Sequence, residues 1–319
     1  MSSLRPLLLF LCLVVLLPQS ATASSAPPTG ADDTAPFSVR FGETTVSHRV
    51  MAVLTRPDET VRLSVVSGPS EMSYDVDGGD HQVESLDNGS WRVRPPDTPG
   101  LYPLTVTAPD GDASIRLQVF VLQPWNPDQE TLEDYYIGKY EKEPRDDNPR
   151  YEPPEGFVRV TDDNRDARIS PHFRLDQFLC KQTEDTPQYA LVQPRLLRTL
   201  EAILHAVNER GHNVSTLQVM SGFRTPYYNR SIGNRTEYSR HLYGDAADIF
   251  VDANEDGKMD DLTGDGRVTR ADAEQLAQWI EEVPTEGEDS FVGGLSVYGP
   301  ASHRGPFVHV DLRGEKEKW

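Results

Sequence analysis

The spacing of the hydrophobic residues changes part-way along this chain, and that change restricts its architecture more than any other feature. Between Phe37 and Pro124 apolar residues recur at every second position in short runs. In "ASIRLQVFVL" the residues Ile115, Leu117, Val119 and Val121 fall on one face, and Ser114, Arg116 and Gln118 on the other. A period of two marks a half-buried strand. "TVRLSVV", "SWRVR" and "GLYPLTVTA" repeat the pattern, separated by the turn sequences "VDGGD", "DNGS" and "APDGD". Short strands at this spacing predict an all-β sandwich over residues 37–124. Its histidines, His48 and His81, stand alone and read as structural or exposed.

Further on, a helical period takes over. In "QPRLLRTLEAILHAVNERG" the residues Leu196, Leu197, Leu200, Ile203, Leu204 and Val207 line one face, with Pro194 at the start and Gly211 past the end. His205 lies in this core helix and reads as an ordinary helix residue. "SPHFRLDQFLC" predicts a short helix capped by Ser170, and "STLQVMSGF", "DAADIFV", "GGLSVYG" and "PFVHVDL" predict strands. Residues 161–319 therefore form an α+β domain. Between the halves, residues 125–160 read as a linker lying against a surface, because Tyr135, Tyr136, Ile137 and Tyr140 give it apolar area to bury. Upstream of that linker, "PPDTPGLYPLTVTAPDG" resembles the closing strands of bacterial immunoglobulin-like modules.

The first 23 residues combine Arg5, an apolar run from Leu7 to Leu17 and a small-residue stop at Ala21-Thr22-Ala23, the pattern of a secretory signal peptide. Residues 24–36 read as a flexible leader. No later stretch approaches the roughly 20 apolar residues of a membrane span, so the expectation is an exported protein, periplasmic or extracellular. Cys180 is then the one remaining cysteine and reads as a small buried hydrophobe. The formal charge of -20 argues against nucleic acid or an anionic membrane as partner.

Zinc in a hydrolase takes three protein ligands and an open position. His241, Asp248 and His309 offer two ring nitrogens and a carboxylate of the required kind, and they are accompanied by "SGFRTPYYN" and "GPFVHVDLRG". Together "SGFR", "SRHLYGDAADI" and "FVHVD" resemble the zinc D-alanyl-D-alanine carboxypeptidases, whose fold is shared with Hedgehog domains, over roughly residues 165–319. The resemblance implies an α+β domain with an antiparallel sheet and helices. It implies that His241, Asp248 and His309 bind zinc and that Arg224 meets the substrate's carboxylate or polarised carbonyl, a task suited to a planar guanidinium. Gly244 and Ala246 would let the backbone pass close to the metal. In one respect the chain departs from the pattern: many relatives carry an acid a few residues before the last ligand, whereas residues 302–308 hold none. The general base is then Asp311, on the same strand face as His309 and able to reach either the metal water or the ligand's outer nitrogen, or His303, or an acid from elsewhere. Tyr298 either lines this cleft or packs beside it.

The stretch after Asp248 is a string of acids. In "DLTGDGRVTRAD" the residues Asp261, Thr263, Asp265, Gly266, Arg267, Thr269 and Asp272 occupy positions 1, 3, 5, 6, 7, 9 and 12 of a calcium-loop pattern, and Asp252, Asn254, Asp256 and Gly257 repeat its first half. The segment 252–272 is either a calcium-binding insertion or a solvated acidic turn. The leading reading is a secreted zinc peptidase acting on peptidoglycan peptides, with calcium as a second ion. A noncatalytic envelope-binding module stabilised by zinc and calcium is the alternative, and a calcium-stiffened adhesin a third.

Overall fold

The structure is a computed structural model and describes residues 33–68, 73–87, 89–182, 187–283 and 291–318. The expected signal peptide and most of the expected leader lie outside the described residues. Nine strands occupy residues 34–121: β1 (Thr34–Phe41), β2 (Thr44–His48), β3 (Val50–Thr55), β4 (Val61–Ser67), β5 (Asp75–Asp77), β6 (Gln82–Asp87), β7 (Ser90–Arg94), β8 (Gly100–Thr107) and β9 (Ser114–Val121). They form two sheets, ordered β2-β1-β4-β7-β6 and β3-β9-β8-β5. Strand β1 starts three residues inside the expected leader, because Thr34 already pairs with His48 at the end of β2.

Val39, Phe41, Leu63 and Val93 from one sheet, and Met51, Leu104, Ile115 and Leu117 from the other, are buried in the hydrophobic core. The alternation of β9 persists only to Leu117, since Gln118 and Phe120 are buried as well. The cause is the C-terminal half, which approaches this sheet from its other side. The Gln118 side chain donates to the carbonyl of Arg168 at 3.0 Å and the Ala52 amide to that of Ile169 at 2.7 Å. A polar residue on the outer face of a strand is thus buried with its Nε2 bonded across the contact, while its Oε1 is buried without a partner.

Strands β10 (Gln123–Pro124), β11 (Thr131–Leu132), β12 (Tyr135–Tyr136), β13 (Gly156–Val160) and β14 (Gln188–Ala190) follow. Trp125, Tyr135, Ile137, Tyr140 and Tyr151 are buried, so the expected linker does lie against a surface, although Tyr136 faces outward and stacks on Tyr227. It is also more than a connection, because β13 pairs antiparallel with both β10 and β14 and belongs to the sheet structure of the C-terminal half.

The remaining elements are α1 (Pro194–Glu209), β15 (Gln218–Ser221), α2 (Pro226–Ser231), β16 (Ala246–Phe250), α3 (Arg270–Glu281), β17 (Gly294–Tyr298), β18 (Phe307–Asp311) and β19 (Glu317–Lys318). The sheet order is β15-β16-β18-β17-β19, antiparallel except for the β17/β19 edge. All six periodic residues of α1 are buried, each contributing about 1.5–3 kcal/mol of transfer free energy. His205 is exposed on the opposite face and pairs with Glu209. The short helix expected after Ser170 is only a single 3-10 turn, Leu175–Phe178. Ser170 does not cap it: its hydroxyl donates to Glu201 of α1 at 2.6 Å. Among the described residues no helix is long and apolar enough to cross a membrane.

Candidate metal centre

Sheet register assembles the site. Asp248 on β16 lies opposite His309 on β18, Ser221 on β15 opposite Asp248, and Ser296 on β17 opposite His309. Directly paired residues project from the same face, so Ser221, Asp248, His309 and Ser296 form one row across four strands. His241 enters from a 3-10 turn, Arg240–Tyr243, that ends at Gly244 in the left-handed region at φ 71°. A Cβ at Gly244 would stand 2.4 Å from the Leu191 carbonyl oxygen, so both conformation and space demand glycine there. The crowding expected against a metal is in fact against this neighbouring backbone.

The turn is tied down from behind. The buried Arg240 guanidinium makes two bonds to Asp245, at 2.8 and 2.6 Å, and lies between the rings of Tyr151 and Tyr243. It also donates to the Arg150 carbonyl, and the Tyr140 hydroxyl donates to the Leu242 carbonyl at 2.7 Å. Segment 140–151 therefore braces the turn that carries His241.

Three donor atoms converge. His241 Nε2 lies 3.2 Å from His309 Nδ1 and 3.3 Å from Asp248 Oδ1, and the last two are 2.9 Å apart. Ligands at 2.0–2.1 Å from a tetrahedral ion stand about 3.3 Å apart, so the triangle has the size a zinc ion requires. The outer nitrogens point away from it. His241 Nδ1 donates to the Gly222 carbonyl at 2.7 Å, and His309 Nε2 to Asp311 Oδ2 at 3.1 Å, which leaves the other nitrogen of each ring facing the metal position. Burial lowers the pKa of His241 and keeps it neutral. Burial disfavours charge on His309 too, but its bonds to Asp248 and Asp311 outweigh that and push its pKa up to about 9, so an incoming ion must displace a proton. Burial likewise resists ionisation of Asp248, yet both histidines hold its carboxyl well below the usual range.

Asp311 is not placed to carry a proton to a substrate. It is fully buried, it contacts the outer nitrogen of His309, and its carboxylate also accepts bonds from Arg313 and from the Gly294 amide at 3.0 Å. Burial alone would raise its pKa, but His309 and Arg313 outweigh that and hold it far below the usual carboxylate range. His303 is exposed in the turn between Ala301 and Arg304 and does not line the cleft. That cleft, of about 650 Å³, opens in front of His241, Asp248 and His309 and is lined by Arg224, Tyr298 and Phe307 among others. Arg224 lies beside the donor triangle, its Nε donating to the Ser221 hydroxyl at 2.7 Å and its Nη2 to Asp248 Oδ2. Tyr298 stacks on Phe307 with ring centroids 4.6 Å apart. Sequence reasoning missed Arg313 and Asp245. The first had a usable signal, since it follows Asp311 by one strand repeat.

The acidic string does not assemble in the same way. Asp261 accepts bonds from the amides of Gly264 and Gly266, at 2.8 and 2.7 Å, and from the Thr263 hydroxyl. Asp272 is fully buried and accepts from the amides of Leu262, Thr263 and Thr269, completing a capping box with Thr269 at the start of α3. Asp265 accepts from the Arg267 amide. Among the described residues, His241, Asp248 and His309 are the one set of three or more histidine, cysteine or acidic donors that converges. The expected calcium cage of Asp261, Thr263, Asp265, Arg267, Thr269 and Asp272 is not supported. Its carboxylates serve the loop's own amides and the helix cap. Cys180 is buried, and burial raises its thiol pKa.

An α+β sheet presenting a histidine-aspartate-histidine triangle at the floor of an open cleft has the construction of a metal-dependent hydrolase. Residues 171–281 match the family model of the M15 peptidases, a family of zinc-dependent enzymes. The matched stretch contains Arg224, His241, Asp248 and the acidic string through α3, and ends before β18 and His309. Over this third of the chain the protein is similar to M15 peptidases, which supports a zinc peptidase at the level of the family. A search of curated proteins found no match to the chain.

Proposed function

We propose that the protein is exported and hydrolyses peptide bonds of peptidoglycan stem peptides or their cross-links, as a D-alanyl-D-alanine carboxypeptidase or endopeptidase. The observation that carries this reading is the triangle of His241, Asp248 and His309 with Arg224 beside it in a cleft open to substrate. Zinc held there would supply Lewis acidity and a water acidified to about neutral pH. The side chains do the rest. Gly222 and Asp311 fix the two imidazoles in the tautomers that face the ion, and Arg224, supported by Ser221, offers donors to the substrate's carboxylate or polarised carbonyl. The two N-terminal sheets act as an immunoglobulin-like sandwich packed on the catalytic half.

A second reading is favoured by one observation: neither Asp311 nor His303 is positioned as a proton carrier. On that reading the domain is a noncatalytic module that keeps zinc for structure and binds the cell envelope. Metal analysis combined with mass spectrometry of digested peptidoglycan separates the two. Loss of one terminal alanine marks a carboxypeptidase, and loss of cross-linked dimers an endopeptidase. Zinc-loaded protein that releases neither product overturns the peptidase reading.

A further inference from the structure

The cleft carries an excess of positive charge in a chain whose formal charge is -20. Five arginines line it, against the carboxylates of Asp248 and Glu317. Four of the five are engaged with carboxylates: Arg145 with Asp146, Arg224 with Asp248, Arg240 with Asp245, and Arg313 with Asp311 and Glu317. Arg304 is held differently. Its Nη1 donates to the Gly299 carbonyl at 2.7 Å, and its guanidinium lies 4.7 Å from the centre of the Phe307 ring and 5.7 Å from that of Tyr298. Backbone pairing of Ala301 with Arg304 closes the turn that presents it. The group is thus immobilised by a carbonyl and two aromatic faces, with no carboxylate of the described residues paired to it. Such anchoring removes much of the entropy cost of using an arginine as a binding group.

Its position relative to the metal centre is set by β18. Phe307 and His309 are two residues apart on that strand and share a face, so the Phe307 ring that carries Arg304 stands about one strand repeat, roughly 7 Å, from the donor triangle. Arg304 occupies the stretch before the last ligand where the family resemblance leads one to expect an acid. At that point the chain places a cation.

We propose that Arg304 binds a second carboxylate of the substrate, distinct from the group facing Arg224, and so selects peptides that carry a free side-chain carboxylate near the scissile bond over the same peptides with that group amidated. The proposal rests on the peptidase reading for the identity of the substrate. An anionic peptide is drawn to the cleft against the repulsion of the acidic surface, and a planar guanidinium donates two parallel bonds to its carboxylate.

The test uses full-length, zinc-loaded protein and two stem peptides that differ only in a free carboxylate or a carboxamide at that side chain. Calorimetry measures binding, and mass spectrometry measures cleavage. The expected result is that the free acid binds about tenfold or more tightly than the amide. Arg304→Gln should abolish that difference, with the loss appearing in KM more than in kcat, and Arg304→Lys should restore part of it. Arg92→Gln removes the same charge from an exposed ion pair in the N-terminal sheets and should preserve the preference. Melting temperatures establish that the variants fold. Equal binding of acid and amide by the unmodified protein, or a preference that survives in Arg304→Gln, overturns the proposal. Selective binding without cleavage of either peptide would leave the Arg304 site standing and overturn the peptidase reading instead.

Discussion

The aspartates of the sheet and those of the acidic loop, which begins just after the strand of Asp248, meet different fates. Asp248 and Asp311 sit on neighbouring strands, where register forces them to the face that carries His309. Their carboxylates are buried, and each contacts one nitrogen of the same imidazole. Asp252, Asp256, Asp261 and Asp265 sit in the loop between β16 and α3, and Asp252 and Asp261 turn onto amides of their own segment. The contrast shows what gathers carboxylates into a metal site. Spacing along the chain supplies the ligands, but a sheet supplies the direction, and a loop left to itself satisfies its acids locally.

The first way to break the comparison is to remove a ligand from the sheet. Asp248→Ala and His309→Ala should each abolish zinc retention after dialysis while leaving far-UV circular dichroism close to that of the parent protein. Zinc retained at parental content in both variants would sink the site.

Asp311→Asn is expected to cause a smaller loss, about 10–100-fold in zinc affinity, because a fixed acceptor for His309 Nε2 is replaced by an amide. Competition with a chelator measures it. Lost hydrolysis with unchanged zinc affinity would instead make Asp311 a proton carrier.

The third expectation concerns pH. Once zinc is stripped, the pKa of His309 stands at about 9 against an ordinary 6.5, raised by Asp248 and Asp311 over the opposition of burial. A raised histidine pKa stabilises the fold fully below about pH 6.5, and that contribution is lost as pH rises through about 9. Melting temperatures of the stripped protein should fall across that window, and those of the zinc-loaded protein should not follow. In the loop, Asp272→Ala should cost about 1–3 kcal/mol by orphaning buried amides at the α3 cap, with zinc content unchanged. The smallest effect belongs to calcium: millimolar addition should leave the melting temperature of the unmodified protein in place. A clear rise would show that the loop's acids gather after all.

Much of this was legible in the sequence, and the parts that were not share a cause. The α1 face was readable because Leu196 through Val207 follow one helical stripe and the helix buries that stripe. The triangle of His241, Asp248 and His309 was readable because "SGFR", "SRHLYGDAADI" and "FVHVD" together resemble the zinc D-alanyl-D-alanine carboxypeptidases. Gln118 and Phe120 misled because strand alternation reports one buried face and cannot register a second domain arriving on the other. Asp311 was correctly placed on the face of His309, but which nitrogen it meets depends on ring orientation, which no spacing encodes. Thr269 and Asp272 carried two valid patterns at once, positions 9 and 12 of a calcium loop and the first and last members of a helix capping box. The structure shows the capping box.

The brace formed by segment 140–151 bears on how such a protein can be divided. Arg150 donates to the Leu312 carbonyl just past β18, and its own carbonyl receives Arg240 from the turn that holds His241. A domain boundary drawn at residue 160 would cut through these bonds and through the pairing of β13 with β14. The structural unit around the metal centre therefore reaches back to β10, well before the stretch that carries the ligands. A fragment beginning at residue 161 would leave Arg240 and the Leu312 carbonyl without these partners, so a stretch that resembles a spacer is part of what holds the metal centre.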